Sequence, residues 1–241
     1  MTVNTFIDPA NLDSLKGLFR VVKEQILKET NGMLPCRVLA FNRGNPNRVQ
    51  VEHVINQIGE GGVVSPRGQI ASIPVLQLGG GGFVINFNIQ PGDLGWIEAS
   101  DRDISLFLQS YNTSSPNTYR KFNFADARFI PDVMHGYTIA GEDTNNLVIQ
   151  SLDGTVKISL GADKIKIAAP TVEIDSTTEV IINSPTVNIT TTGDVDINAM
   201  GTTNLTSPTV NVISSTGMNV TTPTFAVTGD ITATGTITPG V

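Results

Sequence analysis

The last 75 residues, Ile167 to Val241, contain no Lys or Arg and one aromatic, Phe225. Thr or Asn stands at nearly every other place. The apolar residues come as short strand-like pairs: Val172/Ile174, Ile181/Ile182, Val187/Ile189, Val195/Ile197, Leu205, Val210/Val212, Met218/Val220 and Phe225/Val227. Measured on the second member, the steps are eight, seven, eight, eight, seven, eight and seven residues. Pro170, Pro185, Pro208 and Pro223 keep the same beat, 15, 23 and 15 residues apart. A fixed internal period marks a repeat fold, here with one short strand and one turn per unit.

Such a unit has little to bury. In a strand Val187 and Ile189 point to one side and Asn188 to the other, so each unit offers two apolar side chains. The Thr, Asn and Ser between them suit turns and a solvated face. A solitary β-solenoid uses about 20 or more residues per coil and needs a roomier interior. Three copies wound about one axis solve the problem, because the Val/Ile pairs then meet in a narrow prism and strand edges pair with neighbouring chains. At about 4.8 Å between strands, about twelve units build a needle roughly 50–60 Å long. This reading places Val172, Ile174, Val187, Ile189, Val195, Ile197, Leu205, Val210, Val212, Val220 and Val227 on the axis. Asp194 and Asp196 alternate with Val195 and Ile197 and face outward as acidic bands, a bound cation being the lesser alternative.

Upstream, the chain reads as an arm and helix over 1–32, a β domain over 33–135, a linker over 136–144 and the needle over 145–241. Leu12, Leu15, Leu18/Phe19, Val22 and Ile26 recur at helical spacing, Asp8-Pro9 suits the start and Asn31-Gly32 the stop. The plainer expectation is a helix packed on its own domain. "PCRVLAFN", "NRVQVEHVI", "QIASIPVLQL", "GFVINFNIQPGD" and "LGWIEAS" read as strands, with Phe83, Ile85, Phe87 and Ile89 sharing one face. "SDRDISLFLQSY" reads as a short helix capped by Ser100 or Asp101. Five short strands and one short helix suit a small barrel of the OB type, with a sandwich as alternative. The fold class is therefore mainly β: helix, barrel, then an intertwined trimeric β-helix.

Composition narrows the function. A formal net charge of −7 and only 15% charged residues argue against duplex nucleic acid, which calls for clustered Lys and Arg. The single cysteine, Cys36, excludes an internal disulfide and suits assembly in a reducing cytosol. The N-terminus has no signal-peptide pattern, and no run of about 18 apolar residues is present to span a membrane. No motif carries catalysis. "LGGGGF" is followed by neither Gly-Lys-Ser/Thr nor a helix pattern, so a hairpin or inter-subunit loop is expected rather than a phosphate cradle. His53 and His135, the only histidines, lack a Gly-x-Ser-x-Gly partner motif. Asp101 and Asp103 flank Arg102 as a loop salt bridge or helix cap, with a glycosidase-like carboxylate pair as the lesser reading.

Three stretches carry a family resemblance. "IQPGDLGWIEASDRDI" (89–104), "RKFNFADARFIPDV" (120–133) and "GDITATGTITPG" (229–240) resemble the barrel end, the hand-over segment and the terminal turn of the central spike of contractile phage tails. In the second stretch Asp132 stands where that family has Gly. The resemblance implies a homotrimeric, non-enzymatic baseplate spike in the virion, assembled in the bacterial cytoplasm. It would bind a hub protein and pierce the host outer membrane when the sheath contracts. Many such spikes end in His-x-His, which holds a tip iron. This chain has no such pair, so no iron or other cofactor is expected, and the tip would close on Ile231, Ile237 and Val241 or under a small capping protein. No stretch is left over for the lysozyme domain that some spikes carry inserted. The rivals are a type VI secretion-like spike and a polysaccharide-binding or -degrading β-solenoid.

Overall fold

The protein is described by a computed structural model over residues 15–59 and 62–235. Helix α1 spans Leu15–Glu29. The expected Asp8-Pro9 start and Leu12 lie outside the described residues. Its end is fastened where expected: the Asn31 backbone N–H (3.1 Å) and side-chain amide (2.9 Å) both donate to the Phe122 carbonyl. Packing on its own domain is not what the helix does. Leu15, Leu18, Phe19, Val22 and Ile26 are all exposed, so no described residue covers its apolar stripe.

The strands that follow are β1 (Met33–Asn42), β2 (Arg48–His53), β3 (Gln57–Ile58), β4 (Val64–Ser65), β5 (Gln69–Pro74), β6 (Leu78–Gly80), β7 (Phe83–Ile85), β8 (Leu94–Ser100) and β9 (Asn123–Pro131). Five of them form one antiparallel sheet in the order β5-β2-β1-β8-β9. A parallel bridge between Val75 and Phe129, with Leu76 N–H donating to the Phe129 carbonyl at 2.7 Å, brings its two edges together. The sheet is therefore a nearly closed five-stranded barrel. The expected small barrel is present and the sandwich alternative is not.

Alternation builds its core. Cys36 and Val38 on β1, Val49 and Val51 on β2, Ile73 on β5, Ile97 on β8 and Phe129 on β9 are fully enclosed. Burial pushes the Cys36 thiol up to about 12 and leaves it an inert packing group. Gly95 makes room: a Cβ there would sit 2.5 Å from both the Phe129 ring and the Ile130 carbonyl. "FVINFNI" departs from expectation. Only Phe83–Ile85 is strand, and of the four residues expected to share one face only Ile89 is buried.

Helix α2 spans Ser105–Ser110. Neither Ser100 nor Asp101 caps it. The N-cap is Ile104, which makes no side-chain cap bond, and Asp103 just before it accepts the Ser105 N–H at 2.9 Å. Asp101 instead pairs with Arg102 at 2.7 Å. Beyond the barrel, a single helical turn at Gly141–Asp143 precedes β10 (Leu147–Gln150), β11 (Lys157–Leu160) and β12 (Ile165–Ala168), an antiparallel sheet. The chain's contacts divide it after Asp175. From Thr171 to Gly235 no residue is in a strand and every residue is exposed. Among the described residues no β-helix forms.

Candidate interaction surface

The β10–β12 sheet has two unlike faces. On one, register stacks Leu147, Leu160 and Ile165 in one row and Ile149, Ile158 and Ile167 in the next. All six are exposed. The other face is polar and enclosed. Asp143 receives the Lys157 ammonium and the Ser159 hydroxyl (2.8 Å), and Asn146 donates to Ser159 at 2.9 Å. Lys166 reaches Glu142 beside it. These donors, the Lys157 and Ser159 hydrogen bonds foremost, hold the Asp143 carboxyl below its ordinary range. A buried ion pair with saturated partners is costly to expose, so this face is fixed inward and the apolar face outward.

The apolar face continues in the sequence. Counting back from Ile174, steps of seven reach Ile167 and Leu160, so β12 and β11 carry the same beat as the repeat beyond them. In Ser176–Val227 that beat is visible in the backbone. Bends fall at Thr177/Thr178, Pro185, Thr192/Gly193, Met200/Gly201, Pro208, Ser215/Thr216 and Pro223, every seven or eight residues. A hydroxyl staples most of them. Ser184 accepts the Thr186 N–H at 3.3 Å and donates to the Thr186 carbonyl at 2.7 Å. Ser207 and Thr222 do the same to Thr209 and Thr224. Ser176 and Ser214 close wider bends, onto Glu179 and Gly217. The one-residue bends at Pro185, Pro208 and Pro223 fall within the seven-residue steps, and the two-residue bends within the eight-residue steps. These Ser and Thr side chains satisfy backbone groups locally, as such residues do in turns.

Between corners lie the predicted axial residues. Val172, Ile174, Val187, Ile189, Val195, Ile197, Leu205, Val210, Val212, Val220 and Val227 are all uncovered, from 47% exposed at Val227 to 75% at Ile189 and Leu205. Of the predicted tip, Ile231 is exposed, and Ile237 and Val241 lie outside the described residues. The axial reading began at Val172. The six exposed sheet residues upstream were not singled out, although stepping the Val172/Ile174 pair back by seven reaches four of them, Ile165/Ile167 and Ile158/Leu160. A monomeric solenoid would enclose this ladder inside one chain, and here nothing encloses it.

The remaining candidate chemistry resolves into structure. The glycine-rich stretch is a hairpin of β6 and β7 turned by Gly81 and Gly82, both at positive φ (59° and 87°), as a two-residue hairpin turn requires. His53 lies against Phe124, ring centroids 4.6 Å apart, and burial, then the Arg67 charge, lowers its pKa. Asp103 is no half of a carboxylate pair: Ser105, Thr118 and Arg120 all donate to it, and Arg120 also grips Asp126 at 3.0 Å. Those hydrogen bonds hold the Asp103 carboxyl far below its usual range. Among the described residues no three His, Cys, Asp or Glu gather as a metal site, and Asp194 and Asp196 are exposed. Asp132, where the resembled family has Gly, accepts the Trp96 indole N–H at 2.6 Å, tying the end of β9 to β8.

The barrel encloses its own core, while the apolar residues of the β10–β12 sheet face and of the ribbon beyond it are exposed. Residues 34–132, the barrel, match a family model described as "Phage protein Gp138 N-terminal domain". The barrel is thus similar to a domain of phage proteins. No curated protein matches the chain.

Proposed function

We propose that three copies of this chain form the central spike of a contractile phage tail. The single observation that carries this reading is the ladder: from Ile158 to Val227 apolar residues recur every seven or eight residues in the sequence, and no described residue of the chain covers them. Each buried Val or Ile contributes about 1.5–3 kcal/mol, so a stripe this long left in water would be a large unrecovered cost. Three ribbons winding about one axis cover all of it, with each strand edge paired by a neighbour. The corners already bend at the spacing such winding needs.

On this reading the OB-type barrels and α1 form a collar that docks on a hub protein. The needle points at the host outer membrane. Its work is mechanical: sheath contraction drives a preassembled rigid point, and no bond is cut. The residues that matter are the axial Val, Ile and Leu. No cofactor takes part, and the tip closes on apolar groups or a capping protein. The similarity of residues 34–132 to a phage domain supports placing the chain in a virion.

The test is the solution mass by light scattering after size exclusion. A mass near three times 25.6 kDa is expected. A monomer would overturn the proposal. Antibody against the chain, imaged on tailed particles, should label the distal centre of the baseplate.

A further inference from the structure

The β6–β7 hairpin is an arm with no cover. It pairs only with itself, and Leu78, Phe83, Val84 and Ile85 are exposed, Phe83 by 83%. From Gln69 to Gly92 the chain carries no charged residue. A solvated surface hairpin normally guards itself with charge. At about 3.4 Å per residue, four residues from root to tip give a reach of roughly 13 Å.

The arm returns to the barrel at Phe87–Ile89, and there a cleft of about 730 Å³ opens. Phe87, Ile89, Phe129, Pro131, Met134 and Leu152 line it. The charged side chains at its wall are already engaged elsewhere. Arg37 pairs with Glu52 at 3.2 Å, Asp93 accepts the Gln90 N–H at 2.7 Å and Asp132 the Trp96 indole at 2.6 Å. What the cleft offers an occupant is therefore apolar surface, at a size ordinary for a ligand-sized site. An uncharged, aromatic-tipped arm fits that chemistry.

We infer that the Phe83-bearing arm of one copy seats in the Phe129–Met134 cleft of the next. Each chain carries both halves of the contact, arm and cleft side by side. A head-to-tail contact of this kind closes into a ring only under rotational symmetry. This inference therefore rests on the three-chain reading, which supplies the rotation. It adds that the collar is linked by three exchanged arms, independent of the needle, and that Phe83 is the anchor.

The experiment is disulfide trapping in the full chain. Phe83→Cys and Met134→Cys are made as two single variants and co-expressed, Cys36 being buried. Mild oxidation should give disulfide-linked pairs in the mixture and none in either variant alone. The double variant should give covalently closed trimers on a non-reducing gel. The same samples are weighed by light scattering before oxidation. A trimer that forms no 83–134 bond between copies overturns the arm exchange and leaves the spike standing. It would also hand the arm to a different protein. A monomer overturns both. As a second reading, Phe83→Ser should leave the trimer mass unchanged and lower its collar's melting temperature by several degrees; an unchanged melt overturns the anchor role.

Discussion

The barrel and the ribbon use similar side chains to opposite ends. Between Met33 and Pro131, eleven apolar residues are buried against one another within a single copy. Between Thr171 and Gly235, Val and Ile recur as regularly and none is buried. The barrel succeeds alone because five strands return on one another and close, so each inward residue meets a wall. The ribbon bends every seven or eight residues from Ser176 to Val227 without strand pairing, and its inward-facing candidates stay exposed. Regular apolar spacing measures what a chain must bury, while the returns in its path decide whose surface buries it. The β10–β12 sheet stands between the two: its polar face is closed by its own chain and its apolar face is exposed.

The largest test of this contrast is Ile189→Asp. Three like charges would meet on the proposed axis, and the expected outcome is complete loss of the trimer by light scattering while the barrel still gives its cooperative melt. Recovery of a normal trimer would break the comparison. The converse change, Phe129→Ala, empties the barrel's largest fully buried position. It should cost about 3–5 kcal/mol in the barrel's unfolding and leave the needle's transition in place. If both transitions fall together, the two regions are not independent.

Acid gives a middle-sized effect on the sheet. The Lys157 and Ser159 hydrogen bonds depress the Asp143 carboxyl, so its stabilisation is fully present above the ordinary carboxylate range. It is lost as pH falls through the lowered value. Hydrogen exchange of β11 should therefore rise in acid, and Asp143→Asn should raise it at neutral pH and flatten the acid dependence. The smallest effect belongs to a corner. Ser184→Ala removes one staple and should cost about 0.5–1 kcal/mol per chain, seen as a small fall in the needle's melting temperature without change of mass.

The contrast also explains what could be read in advance. Val49, Val51, Ile97 and Phe129 declared strands by alternation, and the turn chemistry between them set a barrel of the right size. The period of the ribbon was legible because nothing but the repeat competes for those residues. Less legible were positions decided by distant partners. Phe83 and Phe87 alternate like core residues, yet Gly81-Gly82 folds β7 back on β6 and carries Phe83 away from the barrel. The α1 stripe looks like any amphipathic face, and spacing alone cannot say whether its own domain or another chain covers it. Asp103 was read with its neighbour Arg102, when its partners, Thr118 and Arg120, arrive from 15 and 17 residues on.

The stapled corners bear on how three such chains would find one another. A ribbon with free corners would have to give up their backbone freedom at the moment of meeting. Here Ser176, Ser184, Ser207, Ser214 and Thr222 hold their bends within a single chain. Much of the ordering then precedes the encounter, and what remains is alignment of register. Assembly becomes a zippering event that starts where strands are already paired, at β10–β12, and runs one corner at a time toward the tip.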